Sequence, residues 1–144
     1  MRIMRNVKIS VSSAPWSMRR AIKRAARCAL RCEGVDGKRQ IAVACVDEES
    51  IRGLNARTRN IDKTTDVLSF PSGEDVFLGD VAICLPIVEQ QAVEFGHSVR
   101  RELSYMTVHS ILHLLGYDHV DEGAEKARMR AREKEIMETL GELR

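Results

Sequence analysis

Aromatic side chains are scarce, at 4% of 144 residues: one Trp, two Tyr and three Phe. So few rings exclude the extended stacking platform of sequence-specific RNA-binding modules. Long apolar runs are missing too. None approaches the roughly 18 residues that cross a bilayer, so no membrane partner is expected. The opening segment, MRIMRNVKIS, has no apolar core of the signal-peptide kind. Cysteine is sparse and unpatterned: Cys28, Cys32, Cys45 and Cys84 fit no disulfide framework. A reduced, cytoplasmic protein with four free thiols is the expectation. Cys28 and Cys32 share a helix face at i, i+4, which also suits a metal pair. With no further ligands nearby, packing is the preferred reading.

What is present is a globular composition, 44% hydrophobic and 31% charged, of a length that fits one domain spanning 1–144. The net charge of +2 hides an asymmetry: residues 1–72 balance at +8, residues 73–144 at −6. A basic half beside an acidic half fits a polyanion-binding face, and it equally fits two solvated helix surfaces.

Residues 3–11 partly alternate, with Val7, Ile9 and Val11 on one side, and read as a strand. Ser12 and Ser13 offer capping oxygens to a helix over Pro15–Glu33. Its apolar stripe comprises Trp16, Ile22, Ala25, Ala26, Ala29 and Leu30, and Arg19, Arg20, Lys23, Arg24, Arg27 and Arg31 fill the remainder. Gln40–Val46 reads as a buried strand. Asp47 caps a short helix over 48–57, followed by a polar loop, Thr58–Thr65. Asp66–Phe70 and Leu78–Leu85 read as strands joined by a turn over Ser72–Asp75, close enough to pair antiparallel. Pro86 opens a helix that Gly96 closes. A longer helix spans about Ser98 to Leu115 and stops at Gly116. Residues 122–140 form a charged helix with Ala127, Ile136 and Leu140 on its packing side. The sum is an α+β domain with one mixed four-stranded sheet and about five helices. Pattern alone does not order the strands.

Three of the four histidines fall between positions 109 and 119. His109 and His113, four apart on the long helix, lie on one face one turn apart, so both imidazoles can reach one ion. Gly116 permits a backbone reversal that brings His119 toward the same point. Three imidazoles with an open fourth position make a catalytic zinc site at the end of a long helix; structural zinc favours four protein ligands. The spacing matches the metzincin pattern H-E-x-x-H-x-x-G-x-x-H, except that Ser110 stands where that pattern has its general-base Glu. A hydroxyl is too weak a base for that task near neutral pH, which weighs against a small metallopeptidase. Asp118 is either a proton acceptor or a residue that orients His119 or caps the following turn.

The segment His109-Ser-Ile-Leu-His113-Leu-Leu-Gly116-Tyr-Asp-His119, preceded by DVLSFP and LGDVAIC, closely resembles the YbeY family, bacterial single-domain metal-dependent endoribonucleases of ribosomal RNA maturation. The resemblance covers nearly the whole chain. It implies one Zn2+ per chain on His109, His113 and His119. It carries the family's functional arginine onto Arg59, in the loop before DVLSFP. Two positions depart from the family pattern: Ser110 replaces a usual Gly, and Thr64 a usual Pro, which should loosen the loop.

The resemblance also implies an RNA partner, the ribosomal RNA of the small ribosomal subunit with its proteins, and no DNA. Arg57, Arg59 and Lys63 cluster in the loop, and Arg20, Arg24 and Arg27 lie on the basic helix. All are candidates for phosphate contact. Tyr105 and Tyr117 are candidates for base stacking. Ser110, Asp118 and His97 are candidates for a supporting role around the metal, though a cap at the start of the long helix is the preferred reading of His97. The expected activity is zinc-dependent cleavage of single-stranded RNA, with maturation of the 3′ end of 16S rRNA as its setting. The rival outside enzymology is a ribosome-assembly factor with a structural metal.

Overall fold

The computed structural model describes residues 6–117 and 123–142. The elements run β1 (Val7–Ser12), α1 (Trp16–Cys32), β2 (Arg39–Val46), α2 (Glu48–Arg59), β3 (Val67–Pro71), β4 (Phe77–Cys84), α3 (Leu85–Phe95), α4 (Val99–Leu114) and α5 (Ala124–Leu140). The four strands form one mixed sheet in the order β1-β2-β4-β3. β1 pairs with β2 in parallel, and β2 with β4 in parallel. The expected hairpin closes antiparallel, with Leu68 opposite Ala82 and Phe70 opposite Asp80. β3 is therefore an edge strand, and the site lies along it.

Alternation gives the sheet two apolar faces. Val11, Val43 and Val81 form a row across three strands, beside Ile9 and Ile41. That face packs under α1, α4 and α5 in one large cluster with Ile22, Leu30, Leu103, Ile111, Leu112 and Met129. Each such side chain contributes about 1.5–3 kcal/mol when fully buried. On the opposite face Leu68, Ala82 and Cys84 pack against Ile51 of α2.

Glycines set the end of α4 at two points. At Gly116 (φ +104°) the helix closes in a Schellman turn: Tyr117 N–H donates to Leu112 O and Gly116 N–H to His113 O, each at 3.0 Å. At Gly79 of β4 (φ +150°) a Cβ would stand 2.4 Å from Phe70 O and 2.8 Å from Leu114 Cδ2. The end of α4 thus lies close against the hairpin because position 79 has no side chain.

Several sequence expectations need correction. Neither Ser12 nor Ser13 caps α1; Pro15 occupies the cap without a side-chain hydrogen bond, and Ser13 lies at φ +61°. Trp16 is outside the stripe, 70% exposed, with the Arg20 guanidinium over its ring at 5.0 Å. Ala127 of α5 is exposed, whereas Met129, Glu133, Ile136, Met137 and Leu140 are buried. The second helix runs on to Arg59, so Thr58 and Arg59 are helical and Asn60 closes the helix in the left-handed region. The Asp47 cap holds, its Oδ1 accepting from Ser50 N–H at 2.8 Å.

A histidine and arginine cleft beside the edge strand

α4 is buried over most of its length because it crosses the core, and its last turns carry both described candidate ligands to the rim. The His109 and His113 rings sit 4.7 Å apart, centroid to centroid, edge to face. They line a cavity of about 530 Å³ together with Gly116 and Tyr117 from the end of α4, Thr65–Ser69 and Pro71 from the β3 segment, and Arg59 from the end of α2. Arg59 and the two histidines, 50 residues or more apart in sequence, thus face one space. His119 and Asp118, also expected here, lie outside the described residues. Among the described residues no group of three His, Cys, Asp or Glu gathers as a metal set.

β3 contributes more than side chains. Cys84 N–H donates to Asp66 O, and Ser72 N–H to Leu78 O. In an antiparallel pair, bonded positions alternate, so residues 66, 68, 70 and 72 turn their backbone groups toward β4. Val67 and Ser69 turn theirs to the open edge, on the cleft side. Asp66 lines the cleft as well, and its Oδ2 accepts from Gln91 Nε2 at 3.1 Å.

The loop before β3 lacks the usual Pro, yet it is tied down. Asn55 Nδ2 donates to Lys63 O at 3.0 Å, and Arg52 pairs with Asp62 at 2.8 Å. Position 64 therefore has neighbours that hold the loop without a fixed φ.

The other sequence candidates scatter. Arg57 lines a separate groove with Asp47, Glu49 and Gly53. Lys63 is exposed and outside the cleft lining. Ser110 is fully buried and donates to Met106 O at 2.8 Å, so it points into the helix packing. His97 sits at the opposite end of α4, its Nδ1 3.3 Å from Glu102 Oε1. Arg24 donates to Leu140 O at 2.7 Å and joins α1 to the end of α5. Arg20 lies on Trp16, and Arg27 is half-buried. Neither tyrosine is an open stacking surface. Tyr105 OH donates to Glu133 Oε1 at 2.7 Å. Tyr117 OH donates to Glu33 Oε1 at 2.6 Å, and Arg128 covers its ring at 4.6 Å. Burial, then Glu33, pushes the Tyr117 phenol up, with Arg128 opposing.

Sequence reading missed one residue of the site altogether. Glu133 of α5 places Oε2 2.6 Å from His109 Nδ1, with its side chain 5% exposed. Burial opposes its ionisation. Hydrogen bonds from His109 and Tyr105, with Arg130 nearby, outweigh burial and hold the carboxyl below its ordinary range. The available signal was a carboxylate at i+4 from Met129 on an otherwise apolar helix stripe.

These residues suit zinc by their chemistry: two imidazoles on one face, with a carboxylate on the outward nitrogen of one, as ligating histidines commonly have. The α+β fold agrees with the comparisons. Residues 4–141 match the family model for endoribonuclease YbeY. An endoribonuclease YbeY of Desulforamulus reducens is 41% identical over 139 residues, covering 90% of each chain. Those of Roseiflexus sp. (strain RS-1) and Clostridium botulinum (strain Eklund 17B / Type B) are 42% and 43% identical, covering 83% and 78% of this chain and 82% and 81% of theirs. Among solved structures, the solution structure of TM1509 from Thermotoga maritima superposes with a TM-score of 0.61 at 27% identity, covering 92% of this chain and 90% of that one. The chain belongs to the YbeY family of RNA-cleaving enzymes.

Proposed function

We propose that the chain is a zinc-dependent endoribonuclease that cuts single-stranded ribosomal RNA in the cytoplasm, in the maturation of the 3′ end of 16S rRNA on the small ribosomal subunit. The observation that carries this reading is the convergence of His109, His113 and Arg59 on one cavity. His109 and His113 would hold the ion, with His119 as the third ligand. Zinc, when bound, supplies Lewis acidity at the scissile phosphate. Arg59 binds that phosphate and opposes the charge that develops on its oxygens. Being exposed and at a helix end, it reaches the cleft without the cost of a buried cation. The open edge of β3 offers backbone donors and acceptors alongside. No helix among the described residues is long and apolar enough to cross a membrane, which accords with a cytoplasmic setting.

The test is cleavage of a single-stranded ribosomal fragment with and without a chelator, for the wild-type chain and His113→Ala. Activity lost with chelator, restored by zinc, and absent from His113→Ala supports the reading. Chelator-insensitive cleavage, or binding to the small subunit with no cleavage, overturns it in favour of a metal-independent nuclease or an assembly factor.

A further inference from the structure

We infer that Glu133 is the positioning residue of the candidate metal centre: it holds the His109 ring so that Nε2 is the ligating nitrogen. This rests on reading the cleft as a metal site. The 2.6 Å contact engages Nδ1 with a carboxylate oxygen, the arrangement in which Nδ1 carries the proton and Nε2 keeps its lone pair. Tyr105 OH takes the other carboxylate oxygen at 2.7 Å. With both oxygens engaged and the residue 4% exposed, Glu133 cannot rotate. Tyr105 lies one turn before His109 on α4, so two residues of α4 and one of α5 form a closed clamp. The clamp sets the ring at 75° to that of His113.

The stripe neighbours of Glu133 on α5 are Met129, Ile136 and Met137, all buried. A methionine at 133 would fill a similar volume in this seam. Methionine would leave the Tyr105 hydroxyl and the His109 Nδ1–H without their acceptor, so the seam loses stability whatever the role of Glu133. With the acceptor for Nδ1–H goes control of the tautomer and ring angle.

The test compares Glu133→Met, Glu133→Gln and Tyr105→Phe with the wild-type chain and His113→Ala. Each is stripped of metal. Zinc affinity is then read by competition with a chromophoric chelator, cobalt(II) geometry by its visible spectrum, and metal-free stability by thermal melting. Glu133→Met should lose about 10- to 100-fold in zinc affinity, the usual cost of removing such a partner. Its cobalt spectrum should change, and its metal-free melting point should fall, because two part-buried donors lose their acceptor. Glu133→Gln, which can still accept through its amide oxygen, should recover part of the affinity. Tyr105→Phe should lose less than either.

Wild-type affinity and spectrum in both Glu133 variants, with His113→Ala impaired, overturn the positioning role and leave the metal centre standing. A melting point that falls with no change in affinity has the same consequence and assigns Glu133 to packing alone. If Glu133→Met fails to fold, Glu133→Gln decides by the same affinity measurement. Should the wild-type chain and His113→Ala bind zinc alike, the metal reading itself fails, and this inference with it.

Discussion

The two ends of α4 each carry a histidine against a buried glutamate, and they differ instructively. At the N-terminal end, His97 Nδ1 lies 3.3 Å from Glu102 Oε1, a partner five residues away and fully buried. At the C-terminal end, His109 Nδ1 lies 2.6 Å from Glu133, which comes from another helix. Both histidine side chains are about equally covered, 17% and 20% exposed. The difference is what stands on the other side of the ring. His97 touches Phe95, with ring centroids 6.1 Å apart. His109 faces a cavity that His113 and Arg59 also line. A histidine–carboxylate pair therefore does not itself make a site; a second donor and open space do. This cavity forms where α4 ends in a tight turn beside the edge strand.

The largest contrast should come from His113→Ala. It removes one of two described candidate ligands, and zinc binding and cleavage should collapse together, by elemental analysis and single-turnover assay. Arg59→Ala should follow. It touches no ligand, so bound zinc should be retained, while cleavage falls on the order of 10²–10³-fold, the usual effect of losing one contact made to transition-state charge. Wild-type cleavage in Arg59→Ala with zinc bound would reduce α2 to a docking surface.

Next is Gly79→Ala, which attacks the packing that sets the site end of α4. The added Cβ meets Phe70 O, a backbone atom that cannot yield without disturbing the hairpin, at a φ that L-residues rarely adopt. Strain and overpacking together should cost about 3 kcal/mol, read by denaturant unfolding. A loss within experimental error would mean that the hairpin shifts freely. His97→Ala is the counterpart at the other end. It removes a partner of the buried Glu102 and should cost about 1–3 kcal/mol of stability. Cleavage should stay within about two-fold of wild type in conditions where both are folded. A steep loss of cleavage there would break the contrast between the two ends.

The C-terminal end was the more legible in sequence, for physical reasons. His109 and His113 share a helix face by spacing alone, and Gly116 marks the reversal after them. The β3–β4 hairpin followed from two short apolar runs and a turn between them. Arg59 was reached through the family resemblance, and its neighbour Arg57 looked equivalent. Only the helical phase of α2, which runs two residues beyond its apolar pattern, separates the two onto different grooves. Glu133 was hidden because its role is tertiary: one acidic residue on a charged helix reads as solvated until the helix is docked. On α5 the expected packing positions Ile136 and Leu140 are buried, and only Ala127 falls outside the packing face. Arg24 was hidden as Glu133 was, reading as surface charge while it holds the end of α5.

That last case yields the smallest expected effect and the finest separation. Arg20, Arg24 and Arg27 look alike on the basic helix, but Arg24 donates to Leu140 O while the Arg20 guanidinium rests on an exposed tryptophan. If α1 faces RNA, each arginine that neutralises a phosphate contributes about 0.7 to the slope of log affinity against log salt for a single strand. Replacing Arg20 and Arg27 with Ala together should lower that slope by about 1.4 and weaken binding to unrelated RNAs alike, since phosphate contacts carry no sequence. Arg24→Ala should leave the slope unchanged. It should lower stability by about 1–2 kcal/mol instead, because a carbonyl at the end of α5 loses a charged donor in a part-buried setting. Salt titrations of binding and melting curves on the same variants decide between the roles. An unchanged slope in the Arg20 and Arg27 variant would remove α1 from the RNA-binding surface and leave the cleft of Arg59 to bind the strand.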